Sequence, residues 1–236
     1  MAGTHVYRSP FTPDVVEEWT DATPSLESDD EAKELPPDIR GVRLQIKAIQ
    51  VMDGLQGRLG LGKASGVYVI SSVVDGLGDS PVTFSGKPYR DVNNGDLLPL
   101  AAANDPTAVF NVYLREAPIP RILSFALLVL RSNADLREIG TAISKLQSDD
   151  RYKTLANLVT TTVALANPAY SVVWQAANDA TGLLAEYLGS KPDDQLGYYQ
   201  ANYTNLFDNL GVGLHPPDGT TMRVDKIRLA YHIDAM

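Results

Sequence analysis

Cysteine is absent from the chain, and histidine occurs three times, at His5, His215 and His232. The first absence excludes disulfides and thiolate metal sites and leaves the redox compartment undetermined. The second removes the helical zinc pattern, because no two histidines stand four residues apart. No G-x-S-x-G elbow occurs, so a hydrolase triad has no anchor. No carboxylate pair stands out for acid–base work, so no catalytic residue is assigned. Positive charge is scarce, with 20 Lys and Arg against 29 Asp and Glu and a net charge of −9. That balance suits neither non-specific nucleic-acid binding nor electrostatic attraction to anionic lipid. Long apolar runs are missing as well: ILSFALLVL is far short of a membrane span. No charged segment followed by an apolar run opens the sequence, so the expected location is the cytoplasm, with export lacking such a signal left open.

The hydrophobic fraction is ordinary, 44% of 236 residues, enough for a sizeable core. Residues 1–38 read as an acidic, proline-bearing tail, TDATPSLESDDEAKELPPD at its heart, with too little apolar surface to offset ordering entropy. Phe11 and Trp19 are its candidate anchors for a partner. From Val42 the pattern changes. VRLQIKAIQV alternates, with Val42, Leu44, Ile46, Ala48 and at its end Gln50 on one face and Arg43, Gln45 and Lys47 on the other, the period of a half-buried strand. VYVISSVV is β-branched, PVTFSG is short and strand-like, AVFNVYLRE alternates and ILSFALLVLRS reads as a buried strand. KPYRDVNNGDLLPL reads as loop, with Asn-Gly a turn signal. Short strands joined by turns predict an antiparallel sandwich or barrel in a single domain, 39–236.

The period then switches. In DDRYKTLANLVTTTVALAN, Tyr152, Leu155, Leu158, Val159, Val163 and Ala166 share a helical face. After Asn167-Pro168, PAYSVVWQAANDATGLLAEYLG aligns Tyr170, Val173, Trp174, Ala177, Leu184 and Leu188. The pair predicts an αα-hairpin inserted at about 148–190, before the last strands. LGYYQANYTNLF and TTMRVDKIRLAYHID return to strand character, the second with one slip around Asp225. A terminal strand must return to the sheet to bury its apolar face.

GRLGLGKAS (57–65) satisfies G-x-x-x-x-G-K through Gly57, Gly62 and Lys63. A phosphate loop also needs a hydroxyl after the lysine and a helix after that. Here Ala64 follows, and then a β-branched run that makes a poor helix. The turn reading is therefore preferred.

The same stretch resembles the first loop of a C2 domain, where a G-x-S-D-P-Y-V-like segment opens the next strand: Ser65, Tyr68 and Val69 match. ILSFALLVLRSNADLREIGTAIS resembles that family's run of buried strand, aspartate-bearing loop, Ile-Gly and a further strand, with Ile139 and Gly140 in the last places. The likeness covers roughly 40–147 and 222–234. It implies a C2-like antiparallel β-sandwich carrying the helical insertion. C2 domains bind calcium through loop aspartates, since a hard cation needs several converging carboxylates. Asp53, Asp75, Asp79, Asp135 and Glu138 are the weak candidates here. Gly66 stands where an aspartate belongs, and Arg131 and Arg137 oppose a cation. Calcium is thus the single cofactor the resemblance raises, and otherwise none is expected. The functional expectation is a non-catalytic module that docks to a protein partner. A peripheral membrane module, calcium-dependent or not, and an effector or enzyme with a scattered site are the alternatives. The aromatic cluster of Tyr198, Tyr199, Tyr203 and Phe207 offers candidate interaction residues if exposed, the three tyrosines first, and would pack the helices on the sheet if buried.

Overall fold

In the computed structural model the described residues are 39–55, 65–77, 82–100, 110–132, 139–163, 170–188, 194–205 and 208–236. The N-terminal segment with Phe11 and Trp19, the glycine loop through Lys63, and Asp79, Asp135, Glu138 and Phe207 lie outside them. The strands are β1 (Gly41–Val51), β2 (Ser65–Val74), β3 (Val82–Val92), β4 (Phe110–Glu116), β5 (Ile122–Ser132), β6 (Gln195–Thr204), β7 (Gly213–His215), β8 (Met222–Val224) and β9 (Ile227–Ala235). The helices are α1 (Ile139–Ser148), α2 (Asp150–Val163) and α3 (Tyr170–Tyr187). The fold is mainly β, with two antiparallel sheets. The first runs β4-β1-β9-β7, with β8 hairpinned onto β9, and the second runs β3-β2-β5-β6.

Several local expectations change. Ser65–Val74 is a strand, so no helix follows the G-x-x-x-x-G-K pattern and the phosphate-loop geometry is lost. β1 and β2 belong to different sheets, so the two strands do not pair as a hairpin. KPYRDV is not loop but the second half of β3, paired with β2 from Val67↔Tyr89 to Ile70↔Gly86. The slip near Asp225 is a two-residue turn between β8 and β9, with Asp225 at φ 50. The helical part begins earlier than expected. Ile139 starts a helix where the C2 resemblance implies a strand, giving three helices. Of these, α2 and α3 are antiparallel, since Arg151 at the start of one reaches Glu186 at the end of the other at 3.0 Å. Asp149 separates α1 from α2 and caps the latter, accepting the Arg151 amide at 2.7 Å. Leu158 lies on the solvent side of α2, 46% exposed, and not on its apolar stripe.

Burial explains the strand sequences. β5 is apolar without alternation because both its faces are covered. Leu123, Phe125, Leu127 and Val129 enter the core between the sheets. Ile122, Ala126, Leu128 and Leu130 enter a second core beneath the helices. β2 divides the same way, Val67, Val69 and Val73 against Tyr68, Ile70 and Val74. α3 lies on this sheet through Ala176, Ala177, Ala180 and Leu184, small side chains that permit close approach. Ser72 Oγ is 2.5 Å from Thr181 Oγ1 and donates to the Ala177 carbonyl at 3.1 Å, tying strand to helix. β1 alternates only as far as Ile46. A register shift between Ile46 and Ala48 then puts Ile49 and Val51 in the core and turns Ala48 out.

Candidate functional site: the open face of the first sheet

The candidate calcium ligands do not converge. Asp53 stands two residues past the end of β1, and its Oδ1 accepts the Gly54 amide at 2.6 Å. Asp75 follows β2 at the opposite end of the sandwich, where Arg115 pairs with Val42 at the start of β1. Val42 and Val51 are nine residues apart along β1, a separation of about 30 Å. Asp75 is also fully committed. It accepts the Tyr113 hydroxyl at 2.7 Å, the Leu77 amide at 2.9 Å and the Arg115 Nε, and its side chain is 1% exposed. Burial, with the Asp75 charge second, pushes the Tyr113 phenol well up, so it stays a neutral donor. At the Asp53 end, Arg131 donates to the Gly54 carbonyl at 3.2 Å and lies 3.5 Å from Asp194, placing a cation where a metal would sit. Among the described residues no three His, Asp or Glu side chains gather to hold a metal ion.

The three tyrosines are interior, at 2%, 0% and 2% exposure for Tyr198, Tyr199 and Tyr203. β6 is sandwiched on both faces, so none of them offers its ring to a partner's surface. Tyr198 packs under the helices, while Tyr199 and Tyr203 enter the core between the sheets. Their hydroxyls meet Tyr231 Oη at 2.7 and 2.5 Å. His215 stacks on Tyr231, 4.5 Å between centroids at 12°, and donates Nε2–H to the Gly211 carbonyl at 2.6 Å. Burial raises Tyr203 to about 12, so this cluster holds neutral phenols in a packed hydrogen-bond network.

The second sheet's outer face is covered by helices; among the described residues no element covers the first sheet's. Register sorts its outward side chains into three cross-strand rows. Leu114, Arg43 and Asp234 form one. Asn111, Gln45, His232 and Leu214 form the next. Leu97, Gln50, Arg228 and Arg223 form the third, at the far end. Each row ends on an exposed leucine: Leu114 at 61%, Leu214 at 43% and Leu97 at 63%. Two rows are internally paired. Arg43 donates from Nε and Nη2 to Asp234 Oδ2 at 3.0 and 2.8 Å, and His232 Nδ1 lies 2.9 Å from the other oxygen. Gln45 donates to Asn111 at 2.7 Å and accepts from Lys47 at 3.1 Å. The third row differs. Arg223 and Arg228 stand directly opposite one another, a like-charge pairing that destabilises a hairpin.

Sequence reasoning placed Arg43, Gln45 and Lys47 on the polar face of their strand but missed Leu97, Leu114, Leu214, Arg223 and Arg228 as their neighbours. The apolar alternation of TTMRVDKIRLAYHID was the signal read; the charges between its apolar positions were the one that would have found them. No family model matches the chain, and no curated protein matches it. Among the described residues no helix is long and apolar enough to cross a membrane.

Proposed function

We propose that this chain is a non-catalytic binding module on a C2-like sandwich, docking a protein partner through the open face of the first sheet. One observation carries the reading. Among the described residues six large hydrophobic side chains are exposed: Met52, Leu97, Leu114, Leu214 and Met236 belong to this sheet or its immediate continuations, and Leu158 to α2. Exposed apolar groups gathered on one face mark interaction surfaces. The face spans about 30 by 20 Å, roughly 600 Å². A standard interface covers about 800 Å² per partner, so adjoining loops complete the footprint. The polar rows set orientation while the leucines supply desolvation. The C2-like part of the reading rests on Ser65, Tyr68 and Val69 and on the exit of β1 and β5 at one end of the sandwich, beside the start of β2.

The test compares three full-length proteins as bait in lysate of the source organism: the native chain, Leu114→Glu/Leu214→Glu, and Leu158→Glu as the helix-face control. The expected result is one species, identified and purified, that binds the native chain and the control and binds the double variant at least tenfold more weakly. Equal capture by all three overturns the reading. Flotation of the native chain with vesicles in place of such a species points to the peripheral membrane alternative.

A further inference from the structure

The charge of this protein is divided unevenly. Residues 1–38 hold 10 of the 29 acidic and 2 of the 20 basic residues, a net of −8. The remaining 198 hold 19 and 18, a net of −1. The open face runs against this trend. Arg43, Lys47, Arg223 and Arg228 project from it, with Asp234 held by Arg43. Lys226 stands exposed in the turn beside them, and Glu116 lies at the far corner of β4. Among the described residues no carboxylate pairs with Lys47, Arg223 or Arg228. Asp225, the nearest acid in sequence, instead accepts the Tyr198 amide at 3.4 Å, toward β6. An opposed pair of arginines is a cost that an anionic group lying across both would convert into a gain.

We infer that the acidic segment Glu27–Glu34 of this same chain lies across the open face, with its carboxylates over Lys47, Arg223 and Arg228, as an internal competitor for the partner. Length and tether favour this occupant over a separate one. The described chain starts at Ile39, beside the first residue of β1. From there back to Glu27 is twelve residues, a reach of about 40 Å when extended. Ile39 to Gln50, the β1 residue opposite Arg228, is eleven residues, a span of about 36 Å. The Glu27 end of the segment is therefore long enough to reach the arginine pair, with Asp30 and Glu31 within reach of Lys47. Tethering presents those carboxylates at millimolar effective concentration, so weak contacts suffice. The attraction is between exposed charges and is screened above about 0.15 M salt.

The inference rests on the reading of this face as a docking surface, but its test needs no partner, so either can fail alone. The chain lacks cysteine, so Ser28→Cys provides a single site for a nitroxide label. Paramagnetic broadening of backbone amides is then read in the full-length protein at about 50 mM and about 1 M salt. The expected result at low salt is selective broadening at Lys47, Arg223, Lys226 and Arg228, with little in α1–α3. That broadening should fall at least fivefold at high salt. It should fall equally in Asp29→Asn/Asp30→Asn/Glu31→Gln/Glu34→Gln, which leaves residues 39–236 unchanged, and in Arg223→Gln/Arg228→Gln. Uniform or helix-directed broadening, or broadening indifferent to salt and to both variants, overturns the inference. Broadening that appears only when labelled and isotope-enriched copies are mixed assigns the contact to a second copy and overturns it too.

Discussion

Replacing Asp75 with alanine is expected to lower the free energy of unfolding by about 3–4 kcal/mol. Tyr113, 3% exposed, loses the acceptor of its hydroxyl, and an unsatisfied buried hydroxyl costs about 1–3 kcal/mol. The Leu77 amide loses its charge-assisted bond, adding about 1 kcal/mol. Arg115 keeps contact with water at 24% exposure, which holds the total below the ~5 kcal/mol of a fully buried broken pair. For a domain of this size the loss corresponds to roughly 10 °C in melting temperature. Urea unfolding of Asp75→Ala, Tyr113→Phe and the double variant measures it, with a coupling above about 1 kcal/mol expected between the two sites. A loss below about 1 kcal/mol for Asp75→Ala would refute the argument. So would a calcium-dependent rise in the native melting temperature that this variant abolishes, because Asp75 would then be a metal ligand and not an anchor.

Gly211→Ala is expected to destabilise by about 2–4 kcal/mol and to broaden the near-ultraviolet tyrosine signal. Its Cβ would lie 2.5 Å from Tyr203 Cε1, at a φ of +68°; a change under about 0.5 kcal/mol would mean the tyrosine cluster repacks freely. Asp208 gives a pH prediction. Burial raises it from 3.8 to about 6, outweighing the Thr204 amide that its Oδ1 accepts at 2.5 Å. The folded state thus binds more protons than the unfolded one between those values. The group's contribution to stability is complete below 3.8 and is lost as pH rises through about 6. Asp208→Asn should remove that fall, so the variant gains on the native chain from pH 4 to 7; parallel pH profiles would contradict it.

The arrangement assigns the two sheets different work. The second is locked beneath helices by the Ser72–Thr181 contact and by Gln200, which donates to the Trp174 carbonyl at 2.8 Å. The first keeps a face whose polar groups are largely paired with one another and whose leucines are not. Between β3 and β4, Ser85 donates to the Val112 carbonyl at 2.9 Å, which occupies one edge carbonyl.

Strand and helix types were legible because side-chain period is a property of a few consecutive residues. Alternation in VRLQIKAIQV, β-branching in VYVISSVV and the helical stripe of α3 each declared their element. The expectations that failed were those needing partners distant in sequence. Lys47 carries no local mark of a bulge; the register shift arises because β1 must satisfy both β4 and β9. KPYRDV lacks strand composition yet pairs with β2, whose ladder extends past the glycine at position 86. Ile139 and Gly140 suit a strand or a helix equally, and the burial of Ala142 and Leu146 in the core beneath the helices favours the helix.

By itself the sequence determined the mainly β class, the existence of the helical segments and the exclusion of disulfides and thiolate metal sites, since composition and short-range periodicity suffice for these. Only the tertiary structure decided that Asp53 and Asp75 stand at opposite ends, that the tyrosines face inward, and that Leu97, Leu114 and Leu214 share one face with Arg223 and Arg228. Those placements depend on which strands pair and in which register, and pairing between strands more than a hundred residues apart is set by the burial of the whole sheet, not by any stretch of the chain alone.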